Sequence, residues 1–421
     1  MSNFAPDWTE GYIAEVEYTA GFYQELSPSH LAFATLLAGF QAPAVDQAFT
    51  YCELGCGKGV TANLIAGANP HGRFYANDFN PAHIVHARGL AAEAGLDNLT
   101  ILEKSFAELG QEELPDFDYI TLHGIYSWVS AENQRAIVEF IRRKLKPGGV
   151  VYISYNCLPG WAAAAPLRHL MHEYAARQSG TLPQRIKAAI EFAQGLGKAK
   201  AKYFTANSGV GPRLDRIAGQ APNYLVHEYL NKDWTLLYHA ELVQHMAAAK
   251  LSYVGSATII EQFDDLLVKA EARATYKEIA DPVMRETVKD FVLNQQFRRD
   301  IFVRGAPRLN QAAQIEAAGR LRFALRLPRA SCAVEVKVPV GTMKLSEGYV
   351  NILDALAEAP RALPELIADP KIASLGGGAS VIRALAVLVA VGYLAPGLPQ
   401  EVETLARRST QRLNDVILAR M

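Results

Sequence analysis

The sequence predicts an α/β protein with a doubly wound parallel sheet, a mostly helical middle region and a small α+β region at the C-terminal end. Three observations lead to this fold class. Strand-like and helix-like segments alternate from residue 49 to about residue 155, a glycine-rich loop follows the first strand, and amphipathic helical patterns dominate after Asn156. Strands that alternate with helices are typical of a parallel sheet with crossover helices.

Five strand-helix steps account for the sheet. The predicted strands are residues 49–54, 73–77, 99–102, 117–122 and 150–155. The helix after the second strand begins at Asn80-Pro81, where a proline at the first helical position costs no backbone hydrogen bond. A doubly wound sheet binds its ligand at the carboxyl ends of its strands, so the loops that follow these strands are where we expect a site.

Residues 161–306 are predicted to form a mostly helical middle domain. From Leu167 onward, apolar residues recur at three- and four-residue spacing, which is typical of helices that pack on a core. Two segments, 251–257 and 300–304, look like strands instead. We expect them to complete the sheet of the first domain, so that residues 161 to about 235 form a helical insertion between strands.

The two ends of the chain are predicted to form smaller units. Residues 1–48 precede the first strand and are expected to form helices that cap the site. Residues 307–421 contain a short strand, three helices and a terminal Gly-Tyr-Leu, which resembles a winged-helix arrangement. From Val334 to Gln400 this region has five basic and six acidic residues, a balance that favours an interdomain or subunit contact, as in a homodimer, over DNA binding.

The composition excludes several classes of protein. Lys plus Arg number 42 and Asp plus Glu number 43, so the chain has no overall field that would hold a nucleic acid. The most apolar stretch, residues 384–395, is shorter than the ~20 residues that span a bilayer, and the N-terminus lacks the pattern of a secretory signal. Four cysteines favour a reducing cytoplasm over a disulfide framework, and neither they nor the paired histidines have the further ligands that a metal site needs.

The loop Glu53-Leu-Gly55-Cys-Gly57-Lys-Gly59 carries most of the chemical information. Its glycines permit a tight turn and let a ligand approach the backbone. The spacing differs from the dinucleotide fingerprint, and the preceding carboxylate of Glu53 would repel a pyrophosphate but suits a cationic ligand with an amine and a sulfonium. Asp78 ends the second strand and is placed to accept the hydroxyls of a ribose, although it is also a candidate N-cap for the helix that starts at Pro81.

These elements resemble the class I S-adenosylmethionine-dependent methyltransferases, whose sheet is Rossmann-like, over about residues 49–155. The resemblance also includes Phe117-Asp-Tyr before the fourth strand and Leu145-Lys-Pro-Gly-Gly before the fifth. It implies that S-adenosylmethionine is the cofactor and assigns each of its parts to a loop. The methionine part falls to Glu53, Gly55, Cys56 and Gly57, the ribose to Asp78 with Phe79, and the adenine to Ser105 with Phe106, where the family often has an acid in place of Ser105.

Three further residues are candidates for the cofactor site. His123 and Gly124 follow the fourth strand, and His123 is expected to present its backbone to the cofactor, to act as a base or to be a structural histidine. Tyr23 lies in the predicted cap and could reach the methionine carboxylate, with packing of the cap as the alternative.

Four short strings extend the resemblance to about residue 305, at residues 123–129, 154–161, 227–231 and 296–300. They are similar to a bacterial subgroup that carries a methyltransferase regulatory domain, whose best-characterised relatives methylate lysine side chains of proteins. The resemblance therefore implies transfer of a methyl group to a nitrogen of a protein or peptide, with lysine favoured. The alternatives are a small-molecule O- or N-methyltransferase and a regulatory protein that binds the cofactor without catalysis.

The candidate catalytic residues are Tyr126, Trp128, Tyr155 and Asn156, which follow or end the fourth and fifth strands. Methyl transfer from a sulfonium is an in-line displacement that needs alignment, exclusion of water and a neutral nucleophile. Together with Trp161, the aromatic candidates are predicted to wall a narrow channel that holds an alkylammonium group by cation–π attraction. For Trp161, packing of the helical insertion onto the sheet is the favoured alternative.

Overall fold

The computed structural model of the chain describes residues 8–9, 11–16, 21–305 and 307–420. The strands in these residues are β1 (Thr50–Leu54), β2 (Arg73–Asp78), β3 (Leu99–Glu103), β4 (Phe117–Leu122), β5 (Leu145–Asn156), β6 (Ser252–Ser256), β7 (Phe297–Val303), β8 (Arg322–Leu325), β9 (Glu335–Val338), β10 (Gly341–Lys344), β11 (Arg361–Ala362) and β12 (Leu394–Gly397). The helices are α1 (Pro28–Leu37), α2 (Val60–Ala68), α3 (Pro81–Ala94), α4 (Phe106–Leu109), α5 (Ala131–Lys144), α6 (Ala165–Ala176), α7 (Leu182–Lys198), α8 (Lys202–Ala206), α9 (Val210–Ala218), α10 (Pro222–Leu230), α11 (His239–Ala247), α12 (Asp264–Leu267), α13 (Ala270–Ala274), α14 (Pro282–Leu293), α15 (Gln311–Ala318), α16 (Glu347–Glu358), α17 (Leu363–Ala368), α18 (Gly378–Ala390) and α19 (Gln400–Arg420).

The central sheet has seven strands in the order β3-β2-β1-β4-β5-β7-β6. Strands β1 to β5 are parallel, whereas β7 pairs antiparallel with β5 and β6 pairs antiparallel with β7. The sheet thus contains the two late strands that the sequence predicts. Strand order reverses between β1 and β4, and this switch point is where a doubly wound sheet opens a crevice for its ligand.

The two faces of the sheet carry different layers because alternate residues of a strand point to opposite sides. Tyr51 and Tyr119 face a core that is continuous with α1 and with the C-terminal domain. Cys52 and Ile120 face the other way, into a core that includes residues of α5 and α11. Helix α1 therefore lies between the sheet and the C-terminal domain, which differs from the predicted cap over the site; much of the remaining N-terminal segment, residues 1–7, 10 and 17–20, lies outside the described residues.

Helices α6 to α10 form the insertion between β5 and α11, and they have a hydrophobic core of their own. Leu167 and Met171 of α6 pack there against Ile186 and Ile190 of α7, at the spacing that the sequence pattern predicts. The insertion is thus a separately packed unit that stands at the carboxyl end of β5, next to the switch point.

The C-terminal domain combines helices α15 to α18 with a three-stranded antiparallel sheet in the order β11-β8-β12. The predicted strand around residue 335 is β9, which pairs with β10 in a separate hairpin, and the third strand of the sheet is β8, ahead of α16. The last helix leaves this domain. Leu413 of α19 packs with Leu90 and Ala94 of α3, because an apolar stripe on α19 covers the outer surface of α2 and α3.

Among the described residues, no helix is long and apolar enough to cross a membrane. The same part of the chain shows no group of three or more His, Cys, Asp or Glu side chains that would hold a metal ion.

Candidate active site

A cavity of about 820 Å³ opens at the carboxyl ends of β1, β2, β4 and β5. Every residue predicted to bind the cofactor contributes to its wall, and so do Trp128 and Asn156 from the predicted catalytic set. The cavity continues past the strand ends to the helical insertion, where α9 and α10 form the opposite wall. We call the two regions the cofactor end and the acceptor end.

The glycine loop between β1 and α2 forms one side of the cofactor end. Gly55, Gly57 and Gly59 all have a positive φ, which residues with a side chain rarely adopt. A Cβ atom at Gly59 would lie 2.5 Å from the Cβ of Ala87, so this glycine allows α2 to pack closely on α3. A Cβ at Gly57 would meet nothing within 4 Å, and this glycine instead leaves the backbone open for a ligand.

Asp78 is buried at the end of β2 and ties this strand to the glycine loop. Its Oδ2 accepts a hydrogen bond of 2.9 Å from the Gly57 N–H, and its Oδ1 accepts one of the same length from the Asn80 N–H. The N-cap of α3 is Asn80, whose side chain accepts from the Ala82 N–H, so the alternative role of Asp78 as the N-cap does not hold. The carboxylate lines the cavity at the position predicted for the ribose.

Glu53 places a second buried carboxyl group at the cofactor end. Its Oε2 has no hydrogen-bond partner, and the side chain is 5% exposed. Burial, with a smaller contribution from Asp78, raises the pKa of Glu53 to about 8. A buried acceptor without a donor is costly, and a cationic amine would satisfy it. The residues at this end therefore fit the amine and sulfonium of S-adenosylmethionine.

Tyr23 and His123 lie stacked at the floor of the cofactor end, with ring centroids 3.9 Å apart. The Nδ1 of His123 lies 2.8 Å from the Tyr152 hydroxyl. Burial and the nearby Arg299 guanidinium lower the pKa of His123 to about 4, so its ring is neutral at pH 7. The neighbouring Gly124 N–H donates to the Ser154 Oγ.

The adenine and ribose side has two structural features that the sequence left open. The hydroxyl of Ser105, the N-cap of α4, lies 2.9 Å from Glu108 Oε2 within a capping box, so it is engaged locally. This contact also brings the Glu108 carboxylate to the cavity wall beside Phe106. Phe79 packs against the ring of Tyr12 at 5.5 Å, which closes this side with the N-terminal segment.

The structure does not bring two of the predicted catalytic residues to the cavity. Tyr126 is fully buried, with its hydroxyl 3.0 Å from His245 Nδ1. Tyr155 is also buried, and its hydroxyl donates to Asp300 Oδ2 at 2.8 Å. Both side chains belong to the core beneath α5 and α11. Tyr155 faces this core because it precedes the cavity-lining Asn156 in β5, and successive residues of a strand point to opposite faces.

The acceptor end combines Trp161, which the sequence offered as a channel wall, with residues to which the sequence assigned no role in the site. Trp161 lines the cavity although packing was favoured for it, and it does both, since its ring also contacts Trp234 at 5.1 Å. Arg213, Glu228 and Tyr229 complete this wall from α9 and α10. Residues 227–231 were noted only as part of the family resemblance, and nothing in the sequence indicated that α10 would face the strand ends.

Comparison with known proteins adds the family. Residues 46–208 match the family described as "Methyltransferase domain", and residues 221–304 match "Predicted methyltransferase regulatory domain". A protein of Synechocystis sp. called "Uncharacterized protein sll1526" is 44% identical over 411 residues, which are 97% of this chain and 81% of that protein. "O-methyltransferase 3" of Dictyostelium discoideum is 31% identical over 111 residues, 25% of this chain and 24% of its own length.

The fold also has a solved counterpart. The structure of PKMT2 from Rickettsia typhi in complex with AdoHcy matches with a TM-score of 0.69 at 22% identity, over 90% of this chain and 77% of that chain. Similarity at this level of identity shows the fold. The two family matches lie in order along one chain, and the glycine loop stands at the switch point of its sheet. This protein therefore belongs to the class I S-adenosylmethionine-dependent methyltransferases that carry a methyltransferase regulatory domain, and S-adenosylmethionine is its methyl donor.

Proposed function

We propose that this methyltransferase transfers a methyl group to a nitrogen of a protein or peptide, with the side-chain amine of lysine as the preferred acceptor. The observation that carries the proposal is the course of the cavity, which runs from the glycine loop to the helical insertion and reaches solvent there. Arg216 and Gln220, both exposed residues near α9, belong to its wall. A side chain that projects from a large partner can enter by this route.

The walls of the acceptor end suit an alkyl chain with a cationic tip. Trp128, Trp161, Tyr229 and Phe297 supply aromatic surface, and Glu228 supplies a carboxyl group. Aromatic faces attract alkylammonium groups, and they also shield the aliphatic part of such a chain from water. A small-molecule acceptor would be expected in a closed apolar pocket, which differs from this open and charged one. PKMT2 of Rickettsia typhi shares the fold, but this similarity does not identify the methyl acceptor of this chain.

The residues at the strand ends align the reaction and exclude water. The bound cofactor supplies an electrophilic methyl group on its sulfonium. Asn156 at the end of β5 and Trp128 after β4 line the cavity at the strand ends, and we propose that the acceptor nitrogen meets that methyl group beside them. A lysine amine has a reference pKa of ~10.4 and must be neutral to attack, and both burial and the adjacent positive charge lower its pKa. The displacement requires no covalent intermediate with the enzyme.

We propose the cytoplasm as the location of this reaction, and the four free thiols of Cys52, Cys56, Cys157 and Cys332 support a reducing compartment. The homodimer stays a prediction from the sequence, as do the individual cofactor contacts.

The test is incubation of the purified protein with methyl-labelled S-adenosylmethionine and a soluble extract of its source cells, followed by a denaturing gel and mass spectrometry. Label on lysine residues of discrete proteins is the expected result. Label in small molecules alone would move the acceptor to that class, and cofactor binding without any transfer would indicate a regulatory protein.

A matched pair of variants controls this experiment. Asp78→Ala removes the carboxylate at the cofactor end and should reduce the protein label when S-adenosylmethionine is below saturation. Asp118→Ala removes a carboxylate near the amino end of β4, at the opposite end of the strands from the cavity. Asp118 bonds Lys146 and Thr50 there, and its loss should leave the label unchanged. Equal loss of label in both variants would attribute the effect to instability.

A further inference from the structure

A cationic side chain of the protein itself fills the acceptor end of the cavity. The guanidinium carbon of Arg213 lies 3.7 Å from the centroid of the Trp161 ring. One of its NH groups donates to the Gln296 Oε1 at 2.9 Å. Burial raises the pKa values of Glu228 and Tyr229, and the charge of Arg213 opposes both increases, which places the two groups in its surroundings. All of these residues line the same cavity.

Arg168 shows how a firmly held arginine of the insertion is bound. Its guanidinium stacks on the Trp234 ring at 4.5 Å and donates to two backbone carbonyls, those of Glu228 at 3.1 Å and Asn231 at 2.9 Å. Arg168 is buried, and these contacts hold its guanidinium in place.

Arg213 is held much less firmly. It is half-buried, its bond to Gln296 is exposed to solvent, and within the described residues no carboxylate lies within ion-pair distance of its guanidinium. Helix α9 itself is anchored, because Val210, Leu214 and Ile217 are buried in the core of the insertion. The Arg213 side chain can therefore leave the cavity while the helix stays in place.

The surroundings of Arg213 are chemically a site for an organic cation. The Trp161 face offers cation–π attraction, and Gln296 offers an amide oxygen as acceptor. Burial raises the pKa of Glu228 to about 7 even though Arg168 and Arg213 both act to lower it. A carboxyl group in this position gains from an approaching cation, because the cation offsets the cost of its burial.

We propose that Trp161, Glu228, Tyr229 and Gln296 form the binding site for the cationic side chain of the acceptor, and that Arg213 fills this site until the acceptor displaces it. The proposal rests on the proposed function, which it deepens by assigning the recognition of the lysine ammonium group to these residues. Arg213 then acts as a specificity filter, because only a ligand that replaces both its stacking and its charge gains entry.

The experiment measures binding of n-butylammonium, which reproduces a lysine side chain, to the full-length protein by ligand-observed NMR. Arg213→Ala should bind this probe about fivefold more tightly than the unmodified protein, since it removes the competing cation. Arg177→Ala is the matched control, because it removes the same charge from the exposed end of α6, in the same insertion but outside the cavity wall. It should change the affinity by less than about twofold, which separates displacement from a general change of charge.

Further variants test the chemistry of the site. 1-Butanol, which has the same chain length and no charge, should show no gain with Arg213→Ala. In the Arg213→Ala background, Gln296→Ala removes the amide oxygen that the site offers to the ligand and should reduce the gain for n-butylammonium. Adding Trp161→Phe to Arg213→Ala should reduce the gain, with circular dichroism used to establish folding. Equal gains in Arg213→Ala and Arg177→Ala, or an equal gain for 1-butanol, would overturn the proposal.

The binding measurement is independent of methyl transfer, so the two proposals fail separately. Protein lysines that carry label, together with no gain in Arg213→Ala, would overturn the site and leave the function. A gain in Arg213→Ala together with label only in small amines would support the site and overturn the protein acceptor.

Discussion

The cofactor end and the acceptor end of the cavity are built in different ways. At the cofactor end, Glu53 and Asp78 lie on the neighbouring strands β1 and β2. The backbone N–H of Gly57, in the loop after β1, donates to the Asp78 carboxylate and ties the loop to β2. At the acceptor end, Trp161 and Arg213 come from segments of the insertion that meet through helix packing. The sheet holds the residues of the cofactor end in place, whereas the acceptor end is formed by side chains that can exchange partners. We therefore expect single changes at the first to remove binding, and changes at the second to alter selectivity.

The largest effect on stability is expected at β7, which continues from the cavity-lining Gln296 and Phe297 into a buried ionic network. Arg298 donates to Asp290, Asp300 and Glu286 and is 4% exposed. Arg298→Ala would leave the buried Asp290 without its ion-pair partner and would remove the positive charge beside Asp300, so it should lower the free energy of unfolding by about 3–5 kcal/mol. Urea denaturation measures this change.

An exposed ion pair supplies the control for that prediction. Arg142→Ala breaks the surface pair with Glu139 and should leave the free energy of unfolding nearly unchanged, because solvent screens an exposed ion pair. A similar small cost for Arg298→Ala would mean that the network contributes little to the support of the acceptor end.

The next largest effect concerns the cofactor end. Asp78→Ala should weaken binding of S-adenosylmethionine by about 1–3 kcal/mol, because it removes a charged acceptor and also frees the Gly57 N–H. Titration calorimetry measures the affinity, and Asp118→Ala should bind the cofactor normally. Unchanged affinity in Asp78→Ala would remove this residue from the site.

A pH dependence is expected from Glu53. Because its pKa is about 8, the free protein holds this carboxyl group protonated at pH 7, and the proton must leave when a cationic amine binds. Cofactor affinity should therefore rise about tenfold from pH 6 to pH 7, with release of about one proton per ligand. Calorimetry in two buffers of different ionisation enthalpy measures the proton count. Glu53→Gln should abolish the release, and a release that persists would assign it to another group.

The smallest effect is expected for Tyr126→Phe. The sequence placed Tyr126 among the catalytic residues, but its hydroxyl contacts His245 beneath the sheet and does not reach the cavity. Turnover should stay within about twofold of the unmodified enzyme, and stability should fall by about 1 kcal/mol from the lost hydrogen bond. A large loss of turnover with unchanged stability would restore a chemical role to this hydroxyl.

The sequence by itself determined the five parallel strands, the glycine loop and the positions of Glu53 and Asp78. These features follow from local rules, namely the alternation of apolar residues, the φ values that only glycine adopts easily, and the placement of ligands at strand ends. A short stretch of chain contains all the information that such rules use, and every predicted cofactor residue does line the cavity.

Only the tertiary structure decided which aromatic residues face the cavity. It also decided that α1 packs between the sheet and the C-terminal domain and that α19 packs on α3. A shift of one residue at the end of a strand moves a side chain to the opposite face, so Tyr155 is buried while its neighbour Asn156 lines the site. The acceptor end depends on contacts between residues far apart in the chain, such as Trp161 with Arg213. No local pattern encodes those contacts, because they form only when the insertion packs against the sheet.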